Sequence, residues 1–180
     1  MSLLIKTLVL LLLPAEKYSA AFLENHILVR GTAQTSEFKT QVQFYANYYG
    51  LENLTIVLVF DQDLPENVNG YTLFERIDSL GVQNAYIRIQ SRLDFSQQQI
   101  VLAHEMVHVQ QYYLGKLIHH AHHHYTWQGK SIANIKKIAY TERAWEQEAF
   151  TWEKKLWWAY LQSQEKPENL ANAYKPSFSE

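Results

Sequence analysis

Residues 95–115 read Phe-Ser-Gln-Gln-Gln-Ile-Val-Leu-Ala-His-Glu-Met-Val-His-Val-Gln-Gln-Tyr-Tyr-Leu-Gly, and they decide the fold prediction. Ser96 and Gln99 stand three residues apart, which is the spacing of a helix N-cap and its partner in a capping box. Gly115 is typical of a residue that ends a helix. We therefore expect a well-marked helix over residues 97–114.

The predicted helix carries an H-E-x-x-H motif, His104-Glu105-Met106-Val107-His108. Residues four apart share one helical face, so the two imidazoles can bind one metal ion. The Glu105 carboxylate next to the first histidine can reach a water at an open coordination position and take its proton. The alternative is a helix with two histidines in the core or on the surface, without a metal.

Two histidines leave a catalytic zinc one protein ligand short. The metzincin pattern would need a glycine where Gln111 stands and a histidine where Leu114 stands, so it is excluded. A glutamate on a later helix is the remaining option, and the stretch Glu142-Arg-Ala-Trp-Glu146-Gln-Glu148 offers three. A solvent-exposed helix face is the competing interpretation of these glutamates.

Four short motifs carry a resemblance to a known family. They are His104-Glu-Met-Val-His-Val-Gln-Gln111, Gly115-Lys-Leu117, Trp127-Gln-Gly-Lys130 and Trp145-Glu-Gln-Glu-Ala149. With them, residues 54–161 resemble the small bacterial gluzincin-type metallopeptidases, the minigluzincin-like domains. One departure is Ala144, where relatives often have proline.

The resemblance implies zinc-dependent peptide hydrolysis, with Zn²⁺ held by His104, His108 and Glu146 and with Glu105 as the general base. Glu148 is the alternative third ligand, but it lies about 200° around the helix from Glu146, so both cannot face one metal. We expect Glu148 to point away from the metal, beside two tryptophans. Glu142, one turn before Glu146, is a candidate partner for a ligating histidine.

The resemblance implies an α+β, zincin-like domain with a small, twisted, mainly antiparallel or mixed sheet, and periodicity predicts its individual elements. The strand over residues 85–90 alternates exposed and buried positions, and we expect it to pair with an extended peptide substrate. Thr141 is the expected cap of the last helix. The remaining expected elements are a helix over 36–49, strands over 54–60 and 71–77, a hairpin over 125–132 and the last helix over 141–164.

Composition limits the function classes. The chain has 180 residues, 47% of them hydrophobic, and a formal net charge of -2, which disfavours nucleic-acid binding. The absence of cysteine excludes disulfides, cysteine zinc sites and thiol nucleophiles.

Residues 1–21 are a possible signal peptide or an apolar segment too short to span a bilayer, and we expect residues 22–180 to form one domain. With a signal peptide the protein would be secreted or periplasmic, and otherwise cytoplasmic.

Five of the 8 histidines form a second cluster, at His119, His120, His122, His123 and His124. A role in metal delivery or substrate gating is one hypothesis. A mobile polar loop is the interpretation that we favour.

Three further side-chain groups have two interpretations each. Tyr140 is a candidate donor to an oxyanion, although core or interface packing is the favoured interpretation. Arg88 could bind a substrate carboxylate, but a solvent-facing arginine is more common. Aromatic residues at helical spacing in the last helix are expected to pack in the core or against a partner; they are Trp152, Trp157, Trp158 and Tyr160.

Two rival functions remain open at this point. A non-catalytic binding or structural module with the same fold and metal is the first. A protein that handles metal through residues 119–124 is the second.

Overall fold

A computed structural model describes residues 25–77, 82–120 and 123–165. These residues form three α-helices, seven strands and two 3-10 turns. In chain order they are β1 (His26–Arg30), α1 (Thr35–Tyr49), β2 (Leu54–Asp61), β3 (Gly70–Ile77), β4 (Val82–Gln90), α2 (Phe95–Tyr113), β5 (Leu117–His119), β6 (Tyr125–Trp127), β7 (Lys130–Ile132), the 3-10 turns Ile135–Lys137 and Tyr140–Glu142, and α3 (Ala144–Glu165).

The larger sheet is mixed, in the order β1-β2-β4-β3. Strands β1, β2 and β4 run parallel, and β3 pairs with β4 in the antiparallel direction. Along β2, buried and half-buried residues alternate, so that one face of the sheet meets the core and the three helices. The α+β class with a small mixed sheet is confirmed, as are the predicted strands and the first helix.

The position of β4 corrects one prediction. We expected the strand over residues 85–90 to offer an edge to substrate, but β4 lies between β2 and β3. Its alternating exposure has another cause: Tyr86 and Arg88 lie on the face of the sheet away from the helices, while Ile87 and Ile89 are fully buried. The edge strands of this sheet, in the described part of the chain, are β1 and β3.

Helix α2 begins two residues before the predicted start. Asp94 is the N-cap: its carboxylate accepts a hydrogen bond from the Gln97 backbone N–H at 2.8 Å. The side-chain oxygen of Gln97 in turn accepts a hydrogen bond from the Asp94 backbone N–H. The capping box is therefore present but lies two residues earlier than the expected pair, Ser96 and Gln99, because Asp94 and Gln97 have the same spacing and equally suitable side chains. Gln99 lies inside the helix and accepts a hydrogen bond from Trp157 of α3.

Helix α3 begins later than expected. Thr141 does not cap it but lies in the 3-10 turn Tyr140–Glu142, and the extended backbone of Arg143 separates that turn from the helix. The first intrahelical bond joins the Gln147 N–H to the Arg143 carbonyl at 3.0 Å. The prediction failed because a threonine followed by a glutamate fits a tight turn as well as a helix start.

A second sheet of three short strands, β5-β6-β7, follows α2. Strands β6 and β7 confirm the predicted hairpin, while β5 falls where we expected a loop. Tyr125 of β6 stacks on Trp145 of α3 with ring centroids 5.7 Å apart, which fixes this sheet to the start of α3.

No described helix is long and apolar enough to cross a membrane, and the apolar segment 1–21 lies outside the described residues.

Candidate metal centre

Two helices bring three potential metal ligands together. Helix α2 presents His104 and His108 on one face, and α3 presents Glu146 opposite them. The Glu146 Oε2 atom lies 3.3 Å from His104 Nε2 and 3.2 Å from His108 Nε2. All three side chains are buried, at 6%, 7% and 6% exposure, and their ligand atoms lie within 4.8 Å of one another.

The spacing of these atoms fits a tetrahedral ion. Ligands about 2.0–2.1 Å from a tetrahedral zinc lie about 3.3–3.4 Å from one another, close to the two distances between Glu146 and the imidazoles. Two imidazoles and a carboxylate also match the donor types that zinc prefers, and three protein donors leave one position open. The residues present therefore fit a zinc ion.

Each imidazole is also hydrogen-bonded at Nδ1, the ring nitrogen that does not face Glu146. His104 Nδ1 lies 2.9 Å from the Glu153 carboxylate of α3. An N–H on Nδ1 donates to that carboxylate and leaves the Nε2 lone pair for a metal, which is the arrangement that fixes the tautomer of zinc-bound histidines.

The support of His108 is an amide. The side-chain carbonyl of Gln111 lies 2.8 Å from His108 Nδ1, and its NH₂ group donates to the Trp145 carbonyl at 2.9 Å and to Glu148 at 2.8 Å. Lys116 contacts the same Glu148 carboxylate at 3.4 Å. Gln111 is fully buried, so it joins the second histidine firmly to the first turns of α3.

The three glutamates differ in their contacts. The structure places Glu146 with the two histidines, and Glu148 contacts Gln111 instead of the ligand atoms. Glu148 is therefore outside the group of candidate ligands, as expected. Glu142, the expected partner of a ligating histidine, is exposed in the 3-10 turn. The carboxylate that contacts His104 is instead that of Glu153, two turns beyond Glu146. The expectation for Glu142 failed because it assumed that the helix began at residue 141.

The charges of the centre are strongly coupled. Burial alone would lower the pKa of His104, but hydrogen bonds to Glu146 and Glu153 outweigh burial and raise that pKa to about 9. Burial would raise the pKa of Glu146, but hydrogen bonds from His104 and His108 hold it well below its usual range. Burial would also lower the pKa of His108, but its hydrogen bond to Glu146 raises that pKa. A metal would therefore compete with protons for both rings.

Glu105 adjoins the three ligands without joining them. It is 3% exposed, and burial raises the pKa of its carboxyl group, while the nearby His108 and His104 oppose that rise. Its Oε2 accepts a hydrogen bond from the Thr72 hydroxyl of β3 at 2.8 Å. A carboxylate that is beside the ligands but bonded elsewhere suits a role in proton transfer.

Tyr140 lies near the centre and is 49% exposed. Its hydroxyl is close enough to Glu146 to help lower the pKa of that carboxyl group, after the larger effects of His104 and His108. Its ring meets the edge of Phe150, which in turn lies 4.9 Å from the His104 ring. The ring contact agrees with the packing interpretation that we favoured for Tyr140, and the hydroxyl in addition influences the charge of Glu146.

Arg88 lies on the outer sheet face, where it pairs with Asp61 and donates to the Tyr71 hydroxyl. It is thus engaged away from the metal centre. In α3, Tyr160 is buried and Trp157 half-buried, as expected, whereas Trp152 and Trp158 are exposed.

The histidine-rich segment, residues 119–124, forms no comparable group among its described members. The His120 and His124 rings are tilted against each other with centroids 5.0 Å apart, but their Nε2 atoms contact the hydroxyls of Thr126 and Ser131. His122 lies outside the described residues. In the part of the chain that the structure describes, the group on α2 and α3 is the one set of three candidate ligands.

Sequence reasoning missed Thr72, Gln111 and Glu153. Gln111 carried a signal, because it follows His108 by three residues and so shares its helical face. Glu153 also carried one, since seven residues after Glu146 is two helical turns. Thr72 had none, because its contact depends on how β3 packs against α2.

Comparison of the chain with protein-family models, with curated proteins and with solved structures found no match, so its family resemblance rests on the motifs alone.

Proposed function

We propose that the protein is a zinc-dependent metallopeptidase of the gluzincin type, with a zincin-like fold. The single observation that carries the proposal is a buried carboxylate, Glu105, adjacent to a three-donor set and not part of it. A purely structural zinc is closed by four protein ligands and has no use for such a group.

A zinc ion in this donor set would polarise a peptide carbonyl and lower the pKa of a water to about 7. The protein's own contribution is proton transfer. The Glu105 carboxylate takes a proton from the attacking water and delivers it to the nitrogen of the leaving amine, so the C–N bond breaks without expelling an amide anion.

Tyr140 supports the same proposal. Its hydroxyl is near enough to Glu146 for the two groups to shift each other's pKa, and the residue is 49% exposed, so a substrate can reach it. In this role the hydroxyl donates to the oxygen that becomes negatively charged when water adds to the carbonyl.

The edge strand β3 supports a peptide substrate. The bond from the Gln90 N–H to the Asn69 carbonyl directs the backbone groups of residue 69 toward β4. Because these groups alternate along a strand, those of Gly70, Thr72 and Phe74 point to the edge that no described strand covers. An extended peptide paired there would pass beside Glu105.

The test is cleavage of a mixed peptide library by zinc-loaded protein, with and without a chelator. Glu105→Gln should retain about one zinc per chain and lose at least about 100-fold in kcat, because a general base contributes 10²–10⁴-fold. Glu142→Gln, the same change at an exposed glutamate, is the matched control and should leave kcat unchanged.

Near-normal turnover by Glu105→Gln would exclude hydrolysis by this mechanism. A wild-type protein that binds zinc and cleaves nothing in the library would favour the non-catalytic module instead.

A further inference from the structure

Strand β3 donates one hydrogen bond to the Glu105 carboxylate, from the hydroxyl of Thr72. Thr72 Oγ1 lies 2.8 Å from Glu105 Oε2 and 3.2 Å from the Glu105 backbone oxygen. A hydroxyl has one proton to donate, and a hydrogen bond to a charged acceptor is about twice as strong as one to a neutral acceptor. The proton of Thr72 is therefore given to the carboxylate, at the shorter of the two distances.

The other carboxylate oxygen meets the same strand two residues earlier. A Cβ atom at Gly70 would lie 3.0 Å from Glu105 Oε1 and 2.8 Å from the Val101 side chain. Gly70 is not among the glycines with a positive φ, so its backbone does not require glycine. A side chain is excluded for lack of space, because that space is bounded by the Val101 methyl group, Glu105 Oε1 and the Arg88 carbonyl oxygen.

Strand β3 thus restricts the carboxylate from two sides. The terminal torsion of a glutamate is broad, and without contacts it samples many orientations. Here one oxygen is bonded to Thr72 and the other lies against the backbone of Gly70. Such contacts hold a reacting group within the narrow range that efficient proton transfer needs.

We propose that Thr72 is a positioning residue for the general base, and that Gly70 provides the clearance this orientation requires. The hydroxyl holds Oε2 and leaves Oε1 to exchange the proton with water and the leaving amine. The hydroxyl of Thr72 is bonded to Glu105, so it acts on the reaction only through that residue. This inference rests on the proposed peptidase function.

The experiment compares Thr72→Val with Thr72→Ser, using one peptide that the wild-type protein cleaves. Valine keeps the shape and removes the hydroxyl, whereas serine keeps the hydroxyl. We expect Thr72→Val to lose about 10–100-fold in kcat with little change in KM and with zinc content unchanged, because a misplaced reacting group costs up to about 10²-fold. Thr72→Ser should stay within about threefold of wild type.

Thr55→Val is the matched control, because Thr55 lies on β2 between the buried Leu54 and Ile56 and so faces away from the helices. It should leave kcat unchanged. Should Thr72→Val fail to fold, Thr72→Ala removes the same hydroxyl with a smaller side chain and takes its place.

The outcomes separate the two proposals. Unchanged kcat in the hydroxyl-free variant, or equal loss in Thr72→Ser, overturns the positioning role while the peptidase function stands. Zinc-loaded wild-type protein that cleaves no peptide overturns both.

Discussion

Two regions of this protein are rich in histidine, and they differ in what surrounds the rings. The histidine-rich segment holds five histidines in six positions, yet His120 and His124 bond to hydroxyls at the surface. The metal centre holds only two, but they are buried and both contact Glu146, a residue 38 positions from the nearer one.

The comparison shows that a metal site depends less on how many histidines a segment contains than on whether their ring nitrogens point toward one position. Each ring of the centre has both nitrogens engaged in a fixed direction, one toward the shared carboxylate and one toward Glu153 or Gln111. A bound ion would therefore need little reorganisation of the centre, whereas the surface rings would first have to leave their hydroxyl partners.

The largest expected effect is from removing a ring of the centre. His104→Ala should abolish tight zinc binding, because two remaining donors do not hold a zinc ion against competing water. His120→Ala, the same substitution in the histidine-rich segment, should leave zinc binding unchanged. Competition with a chromophoric chelator measures both, and equal losses in the two variants would remove the distinction between the regions.

A smaller effect is expected from the partner of the first ring. Glu153→Gln keeps a hydrogen-bond acceptor but removes the charge behind His104, and we expect a 10–100-fold loss of zinc affinity. Glu165→Gln, at the far end of the same helix, is the control. Affinity unchanged in Glu153→Gln would show that the contact does not support the site.

The site residues show what sequence patterns can predict. The pairing of His104 with His108 follows from helical spacing alone, and the family motifs pointed to Glu146, which the structure brings to both rings. Gln111, Glu153 and Thr72 were missed, because their roles depend on how α3 and β3 pack against α2, which no local pattern records.

The fold shows the same division. Local signals predicted β2 and the first helix well, since residues 54–60 are a run of apolar and β-branched residues and Gly50, which is left-handed in the structure, ends α1. Local signals could not predict the order of the strands in the sheet. Exposure alternates in the same way along an edge strand and along β4, a central strand that is covered on one face only.

A third prediction concerns protons. Because the pKa of His104 is about 9 in the metal-free protein, zinc binding at pH 7 should release about one proton from this ring, and fewer as the pH rises above 9. Calorimetric titration in two buffers of different ionisation enthalpy measures the number. Proton release that does not change between pH 7 and pH 10 would contradict the prediction.

The same shift has a consequence for stability without metal. The raised pKa of His104 stabilises the metal-free fold fully below its unfolded value of 6.5, and this contribution is lost as the pH rises through about 9. Urea unfolding of the metal-free protein should show the loss. The His104→Ala variant should lack this part of the pH dependence.

The smallest expected effect is from changing His119, His120, His122, His123 and His124 together to alanine. This variant should still bind about one zinc per chain with unchanged affinity, because none of these side chains contributes to the three-donor set. Elemental analysis after dialysis measures the stoichiometry, and a folded but zinc-free variant would support the metal-handling hypothesis for the histidine-rich segment.

The central claim is that zinc binds between α2 and α3, and an anomalous difference map of zinc-loaded crystals tests it most directly. We predict a peak bonded to His104 Nε2, His108 Nε2 and a Glu146 carboxylate oxygen, at about 2.0–2.2 Å from each. A peak at the histidine-rich segment, with none between the two helices, would contradict the account.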